Sequence, residues 1–195
     1  MKMGLILALM LSLGCEPAAL QTTDSAPPPP EPIPELGMHV TEDCGQTAIG
    51  DTACNFALID QNGEYWQLKH HLGEIVVLDF SAGWCGPCRL AAASTQAIQD
   101  DYENSAVIVT ILIDGPHVSI APTTEDISDW VTSYGITTAP VLQGSRDLMF
   151  DMSGESGYSI GGFPTYIYID KNGTIYGGHS GFSDEYVRQV INSLL

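Results

Sequence analysis

The sequence predicts an α/β domain in which a mixed central sheet carries helices on both faces. Strand and helix signals alternate along the chain, two apolar runs flank one helical stretch as in a parallel crossover, and two Asn-Gly turns mark antiparallel hairpins.

Taken in order, Ala57 to Asp60 and Tyr65 to Leu68 flank Gln61-Asn62-Gly63 and form a hairpin that precedes the main sheet. Ile75 to Ser81 and Val107 to Asp114 are apolar and β-branched enough to be central strands, with a crossover helix from Pro87 to about Asn104 between them. Thr124 to Tyr134 opens on Thr-Glu-Asp and carries Ile127, Trp130 and Val131 at helical spacing, so it is a second helix. It lies within a long connection from Gly115 to Gly162, where another helix is expected around Arg146 to Met152. Thr165 to Asp170 and Thr174 to Gly177 form a second hairpin around Asn172-Gly173. Ser183 then caps a closing helix with Tyr186, Val187, Val190, Ile191 and Leu194 turned inward.

At the junction of the first central strand and the crossover helix stands Trp84-Cys85-Gly86-Pro87-Cys88. Pro87 suits the first helical position, because its missing N–H would have had no partner there and its φ is already helical. Cys85 is thereby placed at a helix N-terminus, where unpaired amides and the helix dipole favour the thiolate over a free thiol of pKa about 8.5. Cys85 is the expected nucleophile. Cys88, one turn along the same face, is the expected resolving thiol, which attacks the mixed disulfide and releases the reduced product. A zinc site would need a second ligand pair, and neither a second Cys-x-x-Cys nor a His-rich run is present. A structural disulfide is the other alternative, and a helix start is an odd place for a staple.

These residues resemble the thioredoxin superfamily, and within it the membrane-anchored extracytoplasmic thioredoxins of the TlpA/ResA type, over roughly Ile49 to the C-terminus. The resemblance implies a thioredoxin-like fold with an N-terminal hairpin extension and a helical insertion before a cis-proline. Asp79, six residues before Cys85, matches the family's buried acid, which takes the proton of the resolving cysteine; its alternative is an Asp satisfied locally. Gly161-Gly162-Phe163-Pro164-Thr165 matches the cis-proline turn, so Phe163 and Pro164 are expected beside the cysteines, with the Phe163 backbone pairing with substrate. Trp84, Gly86 and Pro87 complete the expected substrate-binding surface. The opening segment Gly50 to Phe56 resembles that of TlpA-like and peroxiredoxin-like proteins, with Cys54 where proline is usual.

The chain has five cysteines. Cys44 and Cys54, ten positions apart ahead of the first central strand, are expected to form a disulfide, which would contribute about 3 kcal/mol in an oxidising compartment. The alternative is that either thiol is free or assists the active site. Lys2 and the apolar stretch Met3 to Leu13, too short for the roughly twenty residues of a membrane span, read as a signal peptide over residues 1–14. Gly14-Cys15 resembles a lipobox, which makes Cys15 the lipidated residue; ordinary cleavage near Ala18-Ala19 is the alternative. Residues 15–37, with Pro27-Pro28-Pro29-Pro30, form an extended proline-rich linker, and residues 38–195 the folded domain. The expected location is the periplasmic side of a bacterial envelope, lipid-anchored to a membrane.

With 24 acidic against 6 basic residues and a net charge of −18, the chain is a poor partner for nucleic acid or bare anionic lipid. No phosphate-binding Gly loop is present, and no cofactor or metal is expected; His70-His71 lacks an acid or thiol to complete a ligand set. The expected activity is thiol-disulfide oxidoreduction of protein substrates through Cys85 and Cys88. The resemblance implies a membrane thiol donor as the source of electrons and, by analogy only, the haem-attachment cysteines of cytochrome c maturation as substrates. The Gly-Pro spacer is thioredoxin's, whose potential of about −270 mV is reducing. Two alternatives stand beside it. One is a thioredoxin-fold lipoprotein that binds or senses thiols without catalysis. The other is a peroxiredoxin-like peroxidase, weakened by Ala82 where that chemistry expects threonine.

Overall fold

The computed structural model describes residues 47–146 and 157–195. The expected signal peptide of residues 1–14, the expected linker of residues 15–37, Cys15 and Cys44 lie outside the described residues, as does the helix expected around Arg146 to Met152 beyond Arg146 itself.

The first hairpin pairs β1 (Ala57–Ile59) with β2 (Tyr65–Gln67). Its turn works because Asp60 Oδ1 accepts from the amides of Asn62 (2.8 Å) and Glu64 (2.9 Å), while Gly63 takes a φ of +79° that a side chain would resist. The chain uses the same device again. Asp170 Oδ1 accepts from the Asn172 and Thr174 amides, both at 2.9 Å, and Gly173 has a φ of +81°, joining β6 (Thr165–Ile169) to β7 (Ile175–Ser180).

Between the hairpins run β3 (Ile75–Ala82), α1 (Gly86–Asp101), β4 (Ala106–Asp114), α2 (Thr124–Tyr134) and β5 (Val141–Gln143). The sheet order is β5-β4-β3-β6-β7, with β3, β4 and β5 mutually parallel and β6 and β7 added antiparallel. Every residue of β3 and β4 is buried, as the continuous apolar runs require. The chain closes with α3 (Asp184–Leu194), capped by Ser183 Oγ, which accepts from the Tyr186 amide at 3.3 Å.

The mixed sheet, its hairpin extension and its helices are present as the sequence predicts. Ile75 and Val77 pack with Ala91 and Ile98 of α1 and Val187 and Ile191 of α3, and Leu112 and Val141 pack with Ile127 and Trp130 of α2. Among the described residues the three α-helices therefore lie on one face. Both crossovers, β3-α1-β4 and β4-α2-β5, step the same way across the sheet, so a constant crossover hand puts their helices on the same side. On the other face Val76, Leu78 and Phe80 meet Phe56, Leu58, Trp66, the 3₁₀ turn residue Leu68, and Tyr158.

Three local expectations change. The helix expected to reach Asn104 ends at Asp101, because Ser105 and Ala106 turn their amides back to the Tyr102 carbonyl to enter β4. Strand β5 was hidden in the long connection, its three residues too few to show a period. Tyr186 is 44% exposed instead of inward, its ring set edge-on to His179.

Candidate functional site

The site forms where the end of β3 meets the start of α1. Gly83 donates its amide to the Asp114 carbonyl at 2.9 Å, and a Cβ on it would lie 2.8 Å from the Gly115 oxygen, so the close approach of these two strand ends requires glycine. Cys85 is the N-cap of α1, with extended backbone, and its Sγ accepts from the Cys88 amide at 3.3 Å. Gly86 is the first helical residue and Pro87 the second. The shift from the expected first position leaves the logic intact, because neither amide has an intrahelical acceptor. Both residues are exposed.

Cys85 and Cys88 form a disulfide with a Cα–Cα distance of 5.3 Å. Cys85 is 4% exposed, Cys88 is fully buried, and Trp84 beside them is 38% exposed. From 78 residues away the cis Phe163-Pro164 peptide brings the Phe163 carbonyl to 3.4 Å from Cys85 Sγ. In the reduced protein the thiol can donate to that oxygen. The loop is anchored by the Pro164 carbonyl, which accepts from the Gly181 amide at 2.8 Å, and by Thr165 Oγ1, which donates to the Gly162 carbonyl at 2.7 Å. The Phe163 ring meets Trp84 edge-on at 6.1 Å.

Asp79 lies inside the sheet, 1% exposed, with Thr110 and Tyr166 as its register neighbours on β4 and β6. Its carboxylate accepts from Ser81 Oγ at 2.8 Å, and the hydrogen bond points to a neighbour on β3 rather than to a sulfur. Burial pushes the Asp79 carboxyl up to about 7, against the smaller opposing pull of the Ser81 and Tyr166 hydroxyls. An acid of that kind changes protonation near neutral pH, in the range where thiols exchange. Cys54 is buried and disulfide-bonded, and its carbonyl accepts from Tyr158 Oη at 2.7 Å; Cys44, its expected partner, lies outside the described residues.

Sequence reasoning missed a second acid and its partner. Asp114, at the end of β4, has a fully buried side chain that receives Arg146 Nε on Oδ1 (2.8 Å) and Arg146 Nη2, Trp84 Nε1 and the Ser119 amide on Oδ2 (2.6, 2.9 and 2.9 Å). Burial opposes its charge, yet the Arg146 guanidinium, the Ser119 amide and the Trp84 indole outweigh that and hold the carboxyl below its ordinary range. The available signal was an acid closing an apolar strand directly before Gly115-Pro116, in a chain with only six Lys and Arg to pair with it.

Among the described residues no group of three or more His, Cys, Asp or Glu is arranged to hold a metal ion, and no helix is long and apolar enough to cross a membrane.

Residues 49–177 match the AhpC/TSA family. The thiol-disulfide oxidoreductase ResA of Geobacillus kaustophilus is 28% identical over 129 residues, covering 66% of this chain and 67% of that protein. A Chlorobium tepidum structure, provisionally described as a thiol:disulfide interchange protein DsbE, superposes with a TM-score of 0.61 at 26% identity, over 76% of this chain and 99% of the other. The exposed lipoprotein thioredoxin Etrx1 of Streptococcus pneumoniae gives a TM-score of 0.59 at 24% identity over 72% of this chain and 100% of its own, a likeness of fold. By that match across the sheet and its active turn, the chain belongs to the AhpC/TSA family and has a thioredoxin-like fold.

Proposed function

We propose that this chain is an extracytoplasmic thiol-disulfide oxidoreductase that reduces or exchanges disulfides in protein substrates through Cys85 and Cys88. The observation that carries the reading is the Cys85–Cys88 disulfide at the start of α1, with the Phe163 carbonyl set against Cys85. ResA, named a thiol-disulfide oxidoreductase, supports it.

The Cys85 thiolate, favoured by the helix N-terminus, attacks one sulfur of a substrate disulfide. A Cys85–substrate disulfide forms and the other substrate sulfur leaves as a thiolate. Asp79, poised near neutrality, then takes up the Cys88 proton, and Cys88 attacks Cys85. The Cys85–Cys88 bond closes, the second substrate thiolate leaves, and the substrate has gained two electrons and, with protonation, two protons. The exposed Trp84, Gly86 and Pro87 border the approach, and the Phe163 backbone pairs with the substrate strand.

Turnover as a reductase requires a thiol donor of lower potential, which in this reading is a membrane protein. Lipidation of Cys15 would keep the domain near that donor, with residues 15–37 as tether, in line with the exposed lipoprotein thioredoxin among its structural neighbours. By analogy with the TlpA/ResA proteins alone, haem-attachment cysteines of cytochrome c are the proposed substrate class. The peroxidase alternative gains nothing at the site, where the buried Ala82 occupies the position three residues before Cys85.

Substrate trapping tests the proposal. Cys88→Ser should leave Cys85 joined to envelope proteins in disulfides that survive isolation, while the wild-type domain reduces insulin with dithiothreitol as electron source. No trapped species and no insulin reduction would rule the activity out.

A further inference from the structure

Arg146 follows β5, far in sequence from the cysteines, yet it ends at the carboxylate that holds Trp84. Its delivery there is built into the backbone. The Gly144 amide donates to the Leu112 carbonyl at 3.0 Å, and a Cβ at Gly144 would come within 2.8 Å of Ile111 Cγ2, so the chain leaving β5 runs tight against β4 towards Asp114. The guanidinium then meets the carboxylate through two parallel hydrogen bonds, the most directional pairing these groups have. Arg146 is itself 44% exposed, whereas Asp114 is sealed.

Oδ2 of Asp114 serves three donors at once: Arg146, the Trp84 indole and the Ser119 amide. Ser119 has a φ of +64°, unusual for a residue with a side chain, and the bond to Asp114 holds it there. Val118 and Ile120 on either side are exposed. One carboxylate thus fixes both the ring before the nucleophile and the loop that bears two exposed apolar side chains. Without Arg146 it would be a buried charge with only neutral donors, a state that burial disfavours strongly.

From this geometry we infer that Arg146 is a positioning residue for substrate: through Asp114 it sets Trp84 and the Val118–Ile120 loop as the docking lip beside Cys85. Asp114 stays ionised because Arg146 is paired with it. Other charged or titratable groups on the elements around this corner are Arg89 on α1, bonded to the Gly83 carbonyl, His117 in the loop, and Asp126 and Asp129 on α2, of which Asp126 caps Thr123. The inference rests on the oxidoreductase reading for its substrate, and on geometry alone for the link from Arg146 to Trp84.

The test uses the domain with ¹⁵N-labelled tryptophan, whose three indole signals are distinguished by Trp84→Phe, together with insulin-reduction kinetics. In the wild type the Trp84 indole signal should stay constant from pH 5 to pH 8. In Arg146→Gln it should move and titrate with pH, as the isolated Asp114 gains a proton, and KM for insulin should rise roughly tenfold with kcat little changed. Arg146→Lys keeps the charge without the fork, so the titration should vanish while KM recovers only in part. An unmoved Trp84 signal in folded Arg146→Gln overturns the inference, as does a moved signal with KM unchanged. A wild type with no insulin reduction defeats the oxidoreductase reading instead, and the indole titration still decides whether Arg146 positions Trp84.

Discussion

Asp79 is an acid that the fold holds at a cost. Its carboxyl is raised from 3.8 to about 7, so between those values the native protein keeps a proton that the unfolded chain has lost. Stability must then fall as pH rises through that window and level off above it. Asp79→Asn should therefore be more stable than the wild type by up to about 4 kcal/mol at pH 8, with the gain vanishing below pH 4; denaturant melts at both pH values measure it. The same substitution should slow release of trapped substrate by Cys88 and remove an inflection near pH 7 from its rate. At this scale the sequence shows which residues carry sulfur and acid, because the Cys-x-x-Cys spacing and the Asp six residues earlier are local. It does not show Arg146 meeting Asp114, since that contact spans 32 positions and depends on a three-residue strand.

Elements were legible where their signals are periodic or chemical. The bounds of α2 follow from its ends: Thr123 and Asp126 form a capping box, and Gly135 closes it with a φ of +64°. Thr123→Ala should cost about 1 kcal/mol, read as a lower melting temperature with the redox site unaffected. Both hairpins were equally plain, because each turn needs Asp and Gly at set offsets. Which described element covers which side of β3 was less legible, since its residues are buried on both sides and periodicity does not name the covering element. The β3–α1 junction depends on contact between distant backbones. Gly83→Ala would press a Cβ into the Gly115 carbonyl, destabilise the protein by roughly 1–3 kcal/mol, and lower oxidoreductase activity by shifting the turn that carries Cys85.

Across the described domain, the central sheet ties the redox turn to everything else. β3 lies between β4 and β6, with Val76, Leu78 and Phe80 facing the hairpin and Tyr158 and with Ile75 and Val77 facing the helices. Phe80 is fully buried and 5.4 Å from the Tyr158 ring, so Phe80→Ala should cost about 3–5 kcal/mol and loosen both layers together, as a single cooperative transition in calorimetry would report. On the helix side Arg188 of α3 bonds Asp101 at the end of α1 and Asp184 in its own first turn, one of few cations in a strongly acidic chain. In the turn itself Cys85, at the helix start beside the Phe163 carbonyl, is the proposed nucleophile, and the fully buried Cys88 the proposed resolving thiol. Limited alkylation of the reduced domain with substoichiometric iodoacetamide at pH 7, followed by peptide mapping, tests this most directly. The account predicts label on Cys85 in large excess over Cys88; equal labelling, or label chiefly on Cys88, would contradict it.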